Sequence, residues 1–311
     1  MPWDERIGRR LKLRDLHVLK TVAQSGSMGR AATRLAVSQP AVSKAITDLE
    51  HVLGVRLLDR SQEGVEATQY GDALLKWSAV LFDDLRQGVE EIDSLADPEA
   101  GTVRLGTAEG MPARLVAIVI DQLMRRHPRL TFTVLQAATN DLQYRDLRDR
   151  NVELVFGRLP APPMADDLNA EVLLDDSFFP VAGVNSKWAK RRKVEAVELI
   201  EEAWCLPEDA LLPAISKAFH SKGLAMPHRI ITTNSIQLYY AMAATGRALV
   251  FASAARLKLS GKELGIKVLP VDLRVVTHPI GIVTLKKRII GPAAQLFIDC
   301  ARRIAKRFSS E

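Results

Sequence analysis

Ser38, Gln39, Pro40, Ser43 and Lys44 stand within one short stretch, and together they carry groups suited to reading duplex DNA. The Gln39 amide can pair with an adenine edge. Pro40 and Ala41 offer carbon to a thymine methyl, and Ser43 and Lys44 suit phosphate oxygens. Arg60, further along, could reach the DNA backbone or the minor groove. Such groups work only if a rigid element carries them into a groove, so the surrounding sequence must supply one.

A second set is scattered through the rest of the chain. Thr107, Ala108 and Glu109 follow one apolar run, Thr139 and Asn140 a second, and Gly157 and Arg158 a third, while Asn234 and Ser235 precede a helical stretch. Polar groups beyond strand ends and at helix starts are where α/β folds hold small ligands. Arg158 could hold a carboxylate in a bidentate pair, and helix N-termini attract anions. Glu109 argues the other way. It would repel an acid unless it points out or pairs with Arg158. The alternative role for these polar residues is ordinary loop capping.

Catalytic patterns are missing. The chain has no HExxH, no GxSxG and no CxxC, and Ser260-Gly261-Lys262 lacks the preceding glycine of a P-loop. The six histidines, at 17, 51, 127, 220, 228 and 278, are scattered. No catalytic residue, metal site or cofactor is expected. Two alternatives stay open: an enzyme with an appended DNA-binding domain, and an architectural DNA-binding protein without a ligand. The missing motifs weigh against the first, and a bilobed domain with no use for its cleft weighs against the second.

Composition agrees. The 311 residues suggest about two domains, and 47% apolar residues suffice for real cores. A net charge of +6 permits polyanion binding without proving it. Aromatics at 5% argue against base stacking as a way of holding single strands. Cys205 and Cys300 form neither a disulfide framework nor a zinc spacing, and they fit a reducing compartment. Residues 1–10 lack the apolar segment of a signal peptide, and runs such as 115–120 are too short to cross a membrane. The expected location is the cytoplasm, with no membrane partner.

Periodicity supplies the elements. Leu13, Leu16, Leu19, Val22 and Ala23 recur at helical spacing, and Ser25-Gly26-Ser27 ends that helix and caps a second over 28–35. The Ala31-Ala32 pair allows close approach. Ala36 and Val37 form a short connection. Ser38 is an N-cap and Pro40 sits in the first turn of a third helix, with Val42, Ile46, Leu49 and Leu53 on one face and Gly54 at its end. Two helices and a tight turn make a helix-turn-helix, with the third helix as the recognition helix. The alternative is a small helical core with a solvated face. Residues 55–60 and 65–68 read as a hairpin wing with Arg60 at its tip.

From 68 to 95 a long helix carries Leu74, Ser78, Leu81, Leu85, Gly88, Ile92 and Leu95 as a heptad seam, which reads as a dimerisation helix or, alternatively, as a helix packed on its own domain. Residues 97–101 mark a boundary. Beyond it, strands at 102–106, 130–135 and 152–156 alternate with helices at 112–127 and 141–150. A second run has strands at 178–184, 229–232 and 249–251 and helices at 210–220 and 235–245. Two apolar stretches in 268–282 and a basic helix at 292–308 follow. Alternation of this kind implies an α/β domain with a parallel sheet.

The string SGSMGRAATRLAVSQPAVSKAITDLEHVLGVRLLDR, followed by VEATQYGDALL, resembles the N-terminal domain of LysR-type transcriptional regulators. The resemblance covers residues 11–71. It departs at Met28, where an aromatic residue is common in the family, and in the wing, which lacks a second arginine and carries Glu63 and Glu66. The resemblance implies that Ser38, Gln39, Pro40, Ser43 and Lys44 face DNA and that Arg60 belongs to the wing. It implies an α/β architecture: a winged helix-turn-helix at 1–67, a linker helix at 68–98, and a bilobed, periplasmic-binding-protein-like effector domain at 99–311. Lobe I would take 101–169 with 278–310, and lobe II 170–277. Family members that bind small carboxylates use positions matching Thr107, Thr139 and Arg158. The partners implied are double-stranded DNA with an imperfect palindrome, a small-molecule effector, a second copy through the linker helix, a homotetramer, and RNA polymerase. The GTAEGMP loop with FGRLP is similar to members that regulate sugar uptake or aromatic-acid breakdown, so the expected effector is a small acid or sugar-derived metabolite.

Overall fold

The computed structural model describes residues 10–61, 64–97, 99–108, 110–137, 145–159, 165–207, 211–276 and 279–309. The chain forms two compact units, which divide between Ile92 and Asp93.

In the first unit, helix α1 (Leu13–Ser25) ends at Gly26, whose left-handed backbone returns its N–H to Val22. Helix α2 (Met28–Leu35) starts on the Ser27 hydroxyl, which accepts from the Arg30 amide. Helix α3 (Gln39–Leu53) is capped by Ser38 and stopped by Gly54. The turn between α2 and α3 places Ala36 in the left-handed region, at φ 54°. That conformation costs an L-residue roughly 1–2 kcal/mol, and the reward is the tight crossing of α2 and α3 on the fully buried Ala31. Leu19, Val22, Val42, Ile46 and Leu49 close the core.

Strands β1 (Leu58–Ser61) and β2 (Gly64–Ala67) pair antiparallel as the expected wing. The Glu50 carboxylate ties the wing to α3 by accepting from the Leu57 amide at 2.8 Å and the Leu58 amide at 3.3 Å. Helix α4 (Gln69–Ala96) begins beside it. A Cβ on Gly71 would stand 2.1 Å from the Leu57 carbonyl oxygen, so only glycine lets α4 start this close to the wing.

The heptad reading of α4 needs correction. Leu74 packs on the winged core together with Leu75 and Phe82, and Ser78 is buried, its hydroxyl donating to the Leu74 carbonyl. The apolar stripe left exposed is Trp77, Leu81, Leu85, Val89, Ile92 and Leu95. The spacing was helical as expected, but the face from Leu74 to Phe82 serves the helix's own domain.

The second unit opens with β3 (Ala100–Thr107), α5 (Met111–Arg126), β4 (Arg129–Gln136), β5 (Leu154–Arg158) and β6 (Leu168–Leu174). Next come β7 (Ser177–Gly183), β8 (Ala203–Pro207), α6 (Leu211–His220), β9 (Arg229–Thr233) and α7 (Ile236–Ala244). The chain ends with β10 (Val250–Ser253), α8 (Ala254–Ser260), β11 (Ile266–Val268), β12 (Val275–Val276), β13 (Ile280–Leu285) and α9 (Pro292–Ser309).

One sheet has the order β4-β3-β5-β13-β6, and α5 and α9 cover it through Leu115, Val119, Leu123, Phe297 and Ala301. The sheet is mixed rather than parallel. β3 runs parallel to β4 and β5, but β13 is antiparallel to both β5 and β6. The chain returns from the second lobe between β5 and β6, a direction that periodicity does not encode. The strand β6 also moves the lobe boundary. Residues 168–174 belong to the first sheet, so a division at 169 would cut through a strand.

The second lobe builds around β7, which pairs antiparallel with β10, β11 and β12, and around the parallel pair β8 and β9. At its centre Trp204 stacks on Phe251, and Phe219 meets both rings edge-on. Of the expected helix at 141–150, residues 141–144 lie outside the described set. Residues 145–146 end in π-helical geometry and 147–150 form turns, where the Asp146 carboxylate accepts from the Asn151 amide side chain and Arg150 adopts φ 61°. The strand β8 and the short helix α8 were not anticipated.

Candidate nucleic-acid interface and effector cleft

Most of the candidate residues at the start of α3 face solvent. Gln39, Pro40 and Lys44 are exposed, and Ser43 is half-buried. Ser38 is exposed too, but its hydroxyl accepts from the Ala41 amide at 3.4 Å, so its first role is to hold the helix start. The wing joins this surface directly: Arg60 Nη1 donates to Ser43 Oγ at 3.5 Å. Arg60 pairs with Val65, one pair short of the end of the hairpin rather than at its tip. Gln39 reaches back over the first turn of α2, where its Oε1 lies 3.7 Å from the place a Cβ on Gly29 would occupy.

Sequence reasoning missed the cations of α2. Arg30 and Arg34 are exposed, and among the described residues neither they nor Lys44 and Arg60 have a carboxylate partner. Unpaired cations beside a helix start suit phosphates, and the signal was present as arginines on the polar face of a short helix. A depression of about 260 Å³ between α1 and α2 is lined by His17, Lys20, Thr21, Gln24, Arg34 and Leu35.

In the second unit, Thr107 and Arg158 lie at the same end of neighbouring parallel strands, since Thr107 pairs with Phe156. The Thr107 side chain is buried and donates to the Phe156 carbonyl at 3.0 Å, tying β3 to β5. Ala108 is half-buried. Glu109, Thr139 and Asn140 lie outside the described residues. Asn234 and Ser235 are exposed, and the Ser235 hydroxyl caps α7 by accepting from the Leu238 amide at 3.3 Å. The two lobes face each other here. A Cβ on Gly110, at the start of α5, would stand 3.8 Å from Ile236 at the start of α7.

Arg158 is engaged by a partner that the sequence did not suggest. Its Nη2 donates to Asp176 Oδ2 at 2.8 Å, and its guanidinium lies 4.7 Å from the Phe178 ring centre. Asp176 sits in the crossover between β6 and β7, fully buried in its side chain, with Oδ1 accepting from the Ala255 amide. One carboxylate therefore joins the end of β5, the crossover and the start of α8. Beside it, Tyr240 is buried, with Arg256 5.1 Å from its ring centre. Burial pushes the Tyr240 phenol up to about 12, so it remains a hydrogen-bond donor at any physiological pH.

Cys205 and Cys300 are fully buried in separate cores, and burial pushes both thiols up. Thiolate is the reactive form, so neither should respond to oxidant in the folded chain. In a thiol-disulfide colour assay the native protein should release almost no signal, and both thiols should react after denaturation. A fast-reacting native thiol would overturn this. Among the described residues there is no cluster of three metal-ligating side chains, and no helix is long and apolar enough to cross a membrane.

Comparisons with known proteins bear on both units. The family description "Bacterial regulatory helix-turn-helix protein, lysR family" matches residues 13–72, and "LysR substrate binding domain" matches residues 96–306. The HTH-type transcriptional regulator GbpR of Azospirillum brasilense is 29% identical over 296 residues, covering 94% of this chain and 86% of that protein. The regulator YdcI of Escherichia coli is 27% identical, covering 95% and 96%. Among solved structures, a full-length OxyR variant from Pseudomonas aeruginosa superposes with a TM-score of 0.67 at 21% identity, covering 94% of this chain and 95% of that one. Full-length CbnR in complex with its target DNA superposes with a TM-score of 0.65 at 20% identity, covering 94% and 99%.

Proposed function

The chain belongs to the LysR family of bacterial transcriptional regulators, and on that premise we propose that Gln39 reads a base in each half of an imperfect palindrome while a small molecule entering between the lobes sets the response. The protein is an oligomeric DNA-binding regulator rather than an enzyme. What supports the base-reading role is the exposure of Gln39 beside Pro40 and Lys44 on a capped helix start, with Arg60 of the wing brought alongside through Ser43. Ser38, Ser43, Lys44 and Arg60 fix the helix on the phosphates, and Gln39 and Pro40 supply the base contacts. Two-fold symmetry of a dimer built on α4 maps onto the two half-sites, and effector domains provide the second interface of a tetramer. RNA polymerase is the protein partner, in the cytoplasm where the chromosome lies.

The effector cleft takes Thr107, Ala108, Glu109, Thr139 and Asn140 with Arg158 from one lobe and Asn234 and Ser235 from the other. The facing of Gly110 and Ile236 across the lobes supports this reading. A ligand that binds one lobe arrangement better than another biases the DNA complex, typically by ~1–3 kcal/mol.

The test is selection of bound fragments from the source genome, followed by gel shifts on the best site. Gln39→Ala should cost ~1–3 kcal/mol on the selected site and relax preference at about one base pair. An equal loss on every sequence would remove Gln39 from base reading, and no preference above background would overturn the reading as a whole.

A further inference from the structure

The depression between α1 and α2 gathers two positive charges, Lys20 and Arg34, with the His17 imidazole, the Gln24 amide and the carbon of Leu35. His17, Gln24 and Arg34 are exposed and Lys20 is half-buried, so a partner can reach them. Among the described residues no carboxylate pairs with His17, Lys20 or Arg34. The sequence supplies none nearby, since no Asp or Glu stands between Asp15 and Asp48. Helix α4 borders the recess, because its Phe82 meets the His17 ring edge-on. There Asp83 engages Arg86 and Gln87, and Asp84 lies about 200° further round the helix than Phe82.

The recess is turned from the reading start of α3. Gly29 marks the part of α2 that Gln39 overlies. Arg34 comes five residues later, about 140° round the helix axis. Shape points to the kind of occupant. A duplex backbone follows a smooth path and is met by cations that project, as the exposed Lys44 can. A recess of about 260 Å³ instead admits side chains that project into it, and its volume suits one or two of them. Exposed cations hold a free small anion weakly in water. A protein segment brought to the same DNA meets them at high effective concentration, so a few modest contacts suffice.

We propose that this recess receives an acidic segment of the protein that joins the regulator on DNA, with Arg34 and Lys20 holding its carboxylates and Leu35 an adjacent apolar side chain. Arg34 can take a carboxylate in a bidentate pair, and Lys20 adds a point charge beside it. The proposal rests on the reading above, in which that protein is RNA polymerase.

Gel shifts on the selected site, across a series of salt concentrations and then with added RNA polymerase holoenzyme from the source organism, test it. Lys20→Ala combined with Arg34→Ala should leave DNA affinity within about threefold and its salt slope unchanged, while polymerase joins the complex about tenfold or more weakly. Reversing both charges to glutamate should abolish the joint complex, and Arg34→Lys alone should keep part of it. Arg14→Ala removes a charge from α1 outside the recess and should leave polymerase recruitment at the parent's level. Thermal melting of each variant checks that the winged unit folds, and Arg34→Lys keeps the question open to measurement if the double variants do not. A salt slope lowered by about one for each cation removed would assign the recess to phosphate and overturn the proposal. So would a parent that recruits no polymerase, recruitment unchanged in the double alanine variant, or an equal loss in Arg14→Ala. A parent with no preferred DNA site overturns the regulator reading itself, whereas a parent that selects its site but ignores polymerase overturns only the recess.

Discussion

Replacing Leu81 and Leu85 together with glutamate should split the protein into monomers and lower its affinity for a two-half-site DNA by about 100-fold or more. Both side chains lie on the bare stripe of α4, with Trp77 71% and Leu95 81% exposed near its ends. A stripe of this length on one helix is an unusual exposure for an oligomeric regulator unless a second copy covers it. Each leucine buried in such a seam contributes roughly 1.5–3 kcal/mol, and a carboxylate in its place opposes its symmetry mate. The winged core should be spared, because neither leucine belongs to the cluster that holds it. Sedimentation would show the mass halved or quartered, and gel shifts would show a single winged domain clinging weakly to a half-site. If the variant sedimented at the parent's mass, the stripe would not be the dimer interface. The effect on DNA exceeds the loss of any one base contact, since linking two binding modules makes the second encounter intramolecular.

The second large effect belongs to Arg158. Arg158→Ala removes the ion-pair partner of Asp176 Oδ2, whose side chain is fully buried, and should destabilise the second unit by about 3–5 kcal/mol. For a unit of this size that corresponds to a fall of roughly 10 °C in its melting midpoint. Adding Asp176→Asn removes the buried charge and should recover part of the loss, although the amide cannot serve the Ala255 amide and the former arginine site equally well. Measured together, the single and double variants form a coupling test. Additive losses would mean that the ion pair is not the link between β5, the crossover and α8. Arg158→Ala should also abolish the effector response while sparing DNA binding by the winged unit below the new midpoint. A ligand response at parental strength would take Arg158 out of the site altogether.

The first unit could be read almost entirely from the sequence. Gly26, Ser27, Ser38 and Gly54 are local signals, and each acts on its own helix end within a few residues. The recognition helix, its exposed polar start and the wing followed, because a cap, a turn and an amphipathic face are decided by neighbours in the chain. Even here Glu50 escaped notice. Its value lies in two amides beyond the helix, and nothing in a run of apolar and polar residues marks that reach.

The second unit divides differently. Strand and helix positions from 100 to 136 and the closing basic helix were written in periodicity, as was the N-cap of α7 as a place for polar groups. The strand order, the antiparallel return of β13 and the membership of β6 were not, because direction and pairing are set by contacts between residues far apart. The same distance hid the site's electrostatics. Asp176, Tyr240 and Arg256 belong to different elements, and only folding brings the arginines to one carboxylate and one phenol. Sequence alone determined that the chain has a DNA-reading helix and an α/β domain with polar strand ends, since those properties are local. Tertiary structure decided which residues of α4 stay bare and which arginine is already neutralised, since burial and charge pairing depend on what the rest of the fold places alongside.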